Sequence, residues 1–234
     1  MDDRDLMSIR ADTDFTYDAR GRMLRSNEPR EEARRAAPRF FLGRTLAGHV
    51  VRFGAAVPDD LARRLAAIAE REPTDGDLRE RPATLAASRE ALERDAPITV
   101  EGGGPAYRFP ASIAQPGEVV RLTSENRALA RETYPWLYDE LADWQPCFAV
   151  VRDGAVVSVC FSSRFGTAAA EAGVDTLPAF RGHGYAAAVT AAWGVAIRET
   201  GCVPLYSTAW ENHASRGVAR RLGLIMFGAD ATWR

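Results

Sequence analysis

The chain has 234 residues, 46% of them hydrophobic, which is enough apolar material to bury a core and leaves room for one large domain or two small ones. With 30 basic residues against 32 acidic ones the formal charge is -2, which argues against an overall electrostatic footprint for nucleic acid or a membrane surface. All of the basic residues are arginine, and alanine is abundant; this reads as a bias of coding composition before it reads as a set of anion clamps.

The N-terminal MDDRDLMSIRADTD has no apolar signal segment, and no stretch approaches the roughly 20 apolar residues of a membrane span, so a cytoplasmic location is expected. Cys147, Cys160 and Cys202 lack CxxC spacing and read as reduced core residues. His49, His183 and His213 are too dispersed for a metal motif, and no metal is expected.

In chain order, residues 1 to 38 mix charges with few apolar positions and read as a solvated arm or a short exposed helix, with a dense charge run from Glu28 to Pro38. Phe40 to Leu42 and His49 to Val57 read as two strands of a hairpin turning at Ala47-Gly48. Pro58 and Asp59 open a helix that places Leu61, Leu65 and Ile68 on one face and closes by Pro73; a second helix runs from Ala83 to Arg94. Ile98 to Val100 and Tyr107 to Phe109 flank Gly102, Gly103 and Gly104, which suggests another hairpin. No motif in this half carries chemistry.

From Glu118 the elements come in regular order. Val119 to Leu122 is a strand, Ser124 a cap for a helix carrying Leu129, and Pro135 the start of a further helical piece through Leu141. Phe148 to Val151 and Ala155 to Phe161 pair across Asp153-Gly154, a type I′ hairpin signal. A fourth strand spans Ala168 to Thr176, a helix runs from Gly184 to Thr200-Gly201, and a fifth strand covers Val203 to Thr208. Asn212 to Leu222 forms a last helix, stopped at Gly223, before a final strand from Leu224 to Thr232.

The stretch that carries chemistry is VDTLPAFRGHGYAAAVT, Val174 to Thr190: a strand ended by Pro178, a glycine turn, and a helix whose first amides are unpaired. Such a helix end, with its positive dipole, cradles anions. Arg181-x-x-Gly184-x-Ala186 resembles the pyrophosphate loop of the GCN5-related N-acetyltransferase (GNAT) superfamily. A second match follows downstream, where Asn212-His213-Ala214-Ser215 and then Arg221-Leu222-Gly223-Leu224 resemble the Asn-x-x-Ser helix and Leu-Gly-Phe ending of the family, particularly its FR47-like branch.

The resemblance implies an α/β (α+β) GNAT fold: a central mixed, mostly antiparallel sheet, splayed between its fourth and fifth strands and flanked by helices. It implies a GNAT domain over residues 118–234, with residues 1–117 as an N-terminal α/β accessory region. The glycine N-acyltransferase-like members show that such a region can be a degenerate copy of the catalytic half. The family's usual seventh strand has no counterpart after the last strand; either the sheet is one strand short or an N-terminal strand covers its exposed edge.

The implied activity is transfer of an acetyl group from acetyl-CoA to a primary amine, a small molecule or a peptide, by a monomer or homodimer without metal, nucleic acid or membrane. Backbone near Val174 and Thr176 would pair with the pantetheine arm, the loop of Arg181, Gly182, His183, Gly184, Tyr185 and Ala186 would hold the pyrophosphate, and Asn212 and Ser215 would complete the cofactor site. Glu171, with Asp175 as competitor on the same face, is the candidate to take the amine proton. The family's usual tyrosine acid follows the helix-starting Asn by seven positions, where this chain has Ala219. Ser215 and Tyr206 are therefore the candidate donors, with His213 as a fallback. The acceptor would approach from the side of Phe148, Phe161 and Tyr206, and Phe148, Phe161 and Trp193 are candidates to trim an acyl pocket.

Two other readings compete. Gly182-x-Gly184-x-x-Ala187 fits a loose dinucleotide fingerprint, but Pro178 and Arg181 intervene between strand and turn and no βαβ repeat precedes it. Ala219 keeps alive a non-catalytic protein of the same fold that binds acyl-CoA as a sensor or scaffold.

Overall fold

The structure, a computed structural model, describes residues 1–114 and 117–234. The first helix, α1 (Asp3–Asp14), buries Leu6, Met7 and Ala11 on one face, and Asp2 caps it by accepting from the Asp5 amide at 2.8 Å. The N-terminal segment is thus not the solvated arm its charge suggests. Its buried face also carries Arg10, whose ion-pair partner Asp230 lies near the other end of the chain, so the apolar stripe is broken at the level of sequence.

A small hairpin follows, β1 (Phe15–Tyr17) with β2 (Met23–Ser26), then β3 (Phe40–Thr45) and β4 (Gly48–Phe53). The helices α2 (Asp59–Ala69) and α3 (Leu85–Glu93) come next, and then β5 (Glu101–Arg108). The second half consists of β6 (Val120–Leu122), α4 (Pro135–Glu140), β7 (Cys147–Arg152), β8 (Ala155–Phe165), β9 (Ala169–Thr176), α5 (Tyr185–Glu199), β10 (Val203–Ser207), α6 (His213–Arg221) and β11 (Ile225–Trp233). Asp153 and Gly154 turn β7 into β8 with φ of 50° and 79°, as a type I′ hairpin requires. The expected helix around Leu129 is a short 3-10 turn, Arg127–Ala130, and the polar group organising its approach is Asn126, not Ser124: its Oδ1 accepts from the Thr123 amide at 2.8 Å.

Nine strands form one sheet in the order β4-β3-β11-β5-β10-β9-β8-β7-β6, antiparallel throughout except for the β9/β10 pair. Alternation along the strands gives each face its own core. On one side α1 packs Leu6, Met7 and Ala11 against Phe41, Ala106, Leu205 and Phe227, while α4 covers Ala149, Val156 and Val159. On the other, α5 packs Val189, Trp193 and Ile197 against Val157, Cys160 and Ala170, and α2 packs Leu61 and Leu65 against Phe40, Leu42 and Trp233.

The strand the second half lacks comes from the first half, and it enters the sheet's interior, not its edge. β5 pairs antiparallel with β10 on one flank and with β11 on the other. The glycines expected to form a turn lie inside this strand because neighbouring backbone crowds it. A Cβ on Gly104 would stand 1.8 Å from the Thr208 carbonyl oxygen, and one on Gly103 2.2 Å from that of Asp230. Strands from residues 1–117 and 118–234 therefore alternate in a single sheet.

Candidate active site

β9 and β10 pair only through Val203↔Ala169, Pro204↔Ala170 and Leu205↔Glu171. Beyond that point each follows its outer neighbour, β9 along β8 as far as Thr176 and β10 along β5. Both strands thus turn a free backbone edge toward the gap that opens between them. The sheet is splayed where the sequence places its fourth and fifth strands.

At the wide end of this gap sits the glycine turn. Gly182 and Gly184 both have φ of 84°, a left-handed conformation that favours glycine, and Gly184 is the N-cap of α5. The Ala188 amide reaches back to the Gly184 carbonyl at 3.1 Å, which leaves the amides of Gly184 to Ala187 pointing out of the helix end. No acidic residue occupies this first turn, whereas Arg221 is so close that a Cβ on Gly184 would lie 2.8 Å from its Cζ. Glycine, helix dipole and guanidinium converge on one anion-sized position.

A cavity of about 640 Å3 runs from this turn into the gap. It is lined by Val174 and Thr176 of β9, by Arg181, Gly182, Gly184, Tyr185 and Ala186 of the turn, and by Asn212 and Ser215 of α6. His183 is the exception among the proposed loop residues. Its ring lies outside this cavity, stacked on Tyr185 at 5.4 Å, with Nδ1 3.0 Å from the Arg181 carbonyl. Asn212 caps α6, its Oδ1 accepting from the Ser215 amide at 3.0 Å. Tyr206, almost fully buried, brings its hydroxyl 2.6 Å from Ser215 Oγ and donates to the Ser215 carbonyl at 3.2 Å, and burial pushes its pKa up to about 12. Ala219 is buried in the same core as the Tyr206 ring.

Glu171 lies on the opposite face of the sheet, against α1, and lines a second cavity of about 330 Å3 with Arg10, Asp14 and Arg164. The two cavities share Ala172 and Ser207, where the strands part. Burial, with repulsion from Asp14, raises the Glu171 carboxyl to about 7 against the pull of Arg10 and of the neighbouring Ser207 hydroxyl. Burial raises Asp14 likewise, opposed by Arg10 and Arg164. For Arg10 burial acts to lower the pKa, but Asp230 at 2.8 Å and Asp14 at 3.4 Å more than offset it.

Asp175 shares the parity of Glu171 but is exposed, its Oδ1 taken by the Thr176 amide at 2.8 Å, and it lines the larger cavity. His213 is exposed at the start of α6 and lines neither cavity. Phe148, Phe161 and Trp193 line neither cavity and are packing residues: Trp193 is wholly buried with its Nε1 donating to Ser162 Oγ at 3.1 Å, and Phe161 packs on Trp136 and Trp144. Arg10, Asp14, Ser207 and Arg221 were missed. The first two sit one turn apart on the buried face of α1, a spacing that would have paired them had the helix been read as packed.

A helix end with unpaired amides and no acidic residue in its first turn lies in the gap between two parting parallel strands of a mixed α/β sheet, an arrangement suited to a phosphate group. Residues 146–228, from just before β7 into β11, match the model of the GNAT acetyltransferase family. The match is to that family as a whole; the FR47-like resemblance rests on its own motifs. Similar solved structures include a GNAT-family protein of Novosphingobium aromaticivorans, 20% identical with a TM-score of 0.46 over 58% of this chain and 66% of its own. A GNAT-family acetyltransferase of Colwellia psychrerythraea is 15% identical with a TM-score of 0.48, over 64% and 62% of the two chains. A GCN5-related N-acetyltransferase-like protein of Streptococcus suis is 17% identical with a TM-score of 0.49, over 85% of each chain. This chain thus spans slightly under two thirds of the length of the first two. No curated protein matches the sequence. Among the described residues, no helix is long and apolar enough to cross a membrane.

Proposed function

We propose that this protein is an N-acetyltransferase that moves an acetyl group directly from acetyl-CoA to a primary amine. The observation that carries this reading is the meeting of two cavities at Ala172 and Ser207, one beginning at a phosphate-type helix end and the other lined by the buried Glu171 carboxylate. The residues present fit acetyl-CoA: unpaired amides at the start of α5 for a pyrophosphate, and a free edge of β9 beside Val174 and Thr176 for an extended amide-bearing arm.

When bound, acetyl-CoA supplies an activated thioester carbonyl. The chain's own contribution is placement and proton handling. Glu171, with a pKa about 7, holds a proton-accepting oxygen on the acceptor side of the gap. Tyr206, kept protonated by burial, presents a hydroxyl beside Ser215 on the cofactor side and serves as the donor for a departing thiolate. A tyrosine hydroxyl thus reaches α6 from β10, which weakens the case for a non-catalytic sensor that Ala219 raises.

Calorimetric titration with acetyl-CoA, run beside NADH and beside Gly184→Trp, tests the reading. Binding in the micromolar range that the variant loses, followed by amine-dependent thiol release, supports it; a folded wild type that binds no acetyl-CoA overturns it.

A further inference from the structure

The carboxylate on the acceptor side of the gap is sealed off from the space it would serve. Glu171 is 5% exposed and neither of its carboxylate oxygens is open to solvent, so an amine entering the smaller cavity cannot touch them. A base so placed needs a neighbour that takes a proton on one side and gives one up on the other.

Strand register supplies that neighbour. Glu171 stands beside Leu205 in the parallel β9/β10 pair and Ser207 follows two residues on, so both side chains point to the face that α1 covers. The Ser207 hydroxyl acts on the carboxylate across the parting strands and favours its ionised form. The other groups that face Glu171 are Arg10 and Asp14 of α1 and Arg164 of β8, with Asp230 of β11 held by Arg10 at 2.8 Å. The guanidiniums stay protonated and cannot accept, and Asp14, 3.4 Å from Arg10, lines the smaller cavity but not the larger.

Among the described residues, the hydroxyls that line the smaller cavity are those of Ser26, Ser163 and Ser207. Ser163 donates to the Glu171 carbonyl at 3.1 Å, and Ser26 accepts from the Arg35 amide at 3.0 Å. Ser207 is the member of this set that also lines the larger cavity, and the other residue the two cavities share, Ala172, carries no polar side chain. A hydroxyl both accepts and donates, so it can pass a proton without a lasting change of charge.

We infer that Ser207 relays the acceptor's proton: its Oγ takes a proton from the ammonium while its own hydroxyl proton passes to a Glu171 oxygen. The inference rests on the acetyltransferase reading for the reaction it serves. The N–H bond that breaks leaves its electron pair on nitrogen, which becomes the nucleophile toward the thioester carbonyl. Serine ends with a hydroxyl as it began, Glu171 ends as the neutral acid, and the same path run outward returns that proton to water before the next turnover.

The test reads Glu171 and turnover separately. With isotope-labelled glutamate, and Glu171→Gln to identify the signal, the Glu171 carboxyl is titrated by NMR in the wild type and in Ser207→Ala. Loss of a hydroxyl that favours the ionised form should move the midpoint up by at least about half a pH unit. Thiol release is then followed with acetyl-CoA and the best of these probe amines: ethanolamine, putrescine, glycine and phenethylamine. Ser207→Ala should lower kcat/KM by at least about tenfold and flatten its rise with pH, and Ser207→Thr should recover most of the loss. A relay can be broken only once, so Ser207→Ala combined with Glu171→Gln should stay within about threefold of Glu171→Gln alone. Losses that multiply, or a Ser207→Ala enzyme whose rise with pH is intact, overturn the inference, and so does an unmoved Glu171 midpoint whatever the turnover. If Ser207→Ala does not fold, Ser207→Cys, whose thiol is a weak donor, replaces it in every arm. A midpoint that moves while the wild type releases no thiol with any probe keeps the Ser207 contact and sinks only the acetyltransferase reading.

Discussion

Tyr206 and Ser215 join β10 to the first turn of α6 through a 2.6 Å contact between their hydroxyls, at the inner end of the larger cavity. If Tyr206 is the proton donor, Tyr206→Phe should lower kcat by about a hundredfold, the size of a general-acid contribution, while acetyl-CoA affinity changes less than about threefold. Ser215→Ala, which leaves the phenol in place, should cost far less in kcat. Thiol-release kinetics beside calorimetry separate the two, and equal losses in both variants would show that the pair acts only as a structural tie.

The raised pKa of Glu171 has consequences of opposite sign for activity and stability. If Glu171 is the proton acceptor, it works when ionised, so kcat/KM should rise with pH through about 7 in the wild type. Glu171→Gln should remove that limb. For stability, a carboxyl whose folded pKa lies above its unfolded value holds its proton longer in the native state, so its stabilising contribution is complete below the ordinary carboxylate range and is lost as pH rises through about 7. Thermal unfolding of the wild type should therefore lose more Tm over this window than that of Glu171→Gln. A Gln variant less stable than wild type at pH above the transition would show that the carboxylate is better compensated than its burial implies.

Gly104 lets β5 lie between β10 and β11. Gly104→Ala would drive a methyl into the Thr208 carbonyl, which is 1.8 Å from the position of the new atom and belongs to backbone that cannot swing aside. A loss of at least about 3 kcal/mol by urea unfolding is expected, at the upper end of overpacking costs. Gly76→Ala, where nothing lies within 4 Å, should change stability by under about 0.5 kcal/mol.

Glu72 anchors the segment between α2 and α3. Its carboxylate accepts from the Ala83 and Thr84 amides and the Thr84 hydroxyl and faces Arg44 Nε at 2.9 Å, all buried or nearly so. Glu72→Ala leaves the Arg44 charge uncompensated and should cost about 3–5 kcal/mol, whereas an exposed pair such as Arg64–Asp60 should be worth under about 1 kcal/mol. Denaturant midpoints of the two alanine variants make the comparison.

What was legible in the residues was local. The Gly182 and Gly184 turn, the Asn212 cap and the Asp153-Gly154 hairpin could be located because each depends on the backbone conformation or hydrogen bonds of adjacent residues. The α5 and β9 boundaries followed for the same reason. α1 was not legible, because its buried face is part apolar and part ionic and the ion pair closes with Asp230, 220 residues away. β5 was misread because glycine serves both tight turns and close backbone approach, and only the neighbours of Gly103 and Gly104 distinguish the two uses.

By itself, then, the sequence determined the glycine turn, the order of elements from β6 to β11 and a run of residues that line the larger cavity, since short-range chemistry specifies all three. Tertiary structure decided the rest: that β5 fills the gap between β10 and β11, that α1 brings Arg10 and Asp14 to Glu171, and that the two cavities meet at Ala172 and Ser207. These are pairings between residues far apart in the chain, and a sheet register or a buried charge partner exists only once the chain has closed on itself.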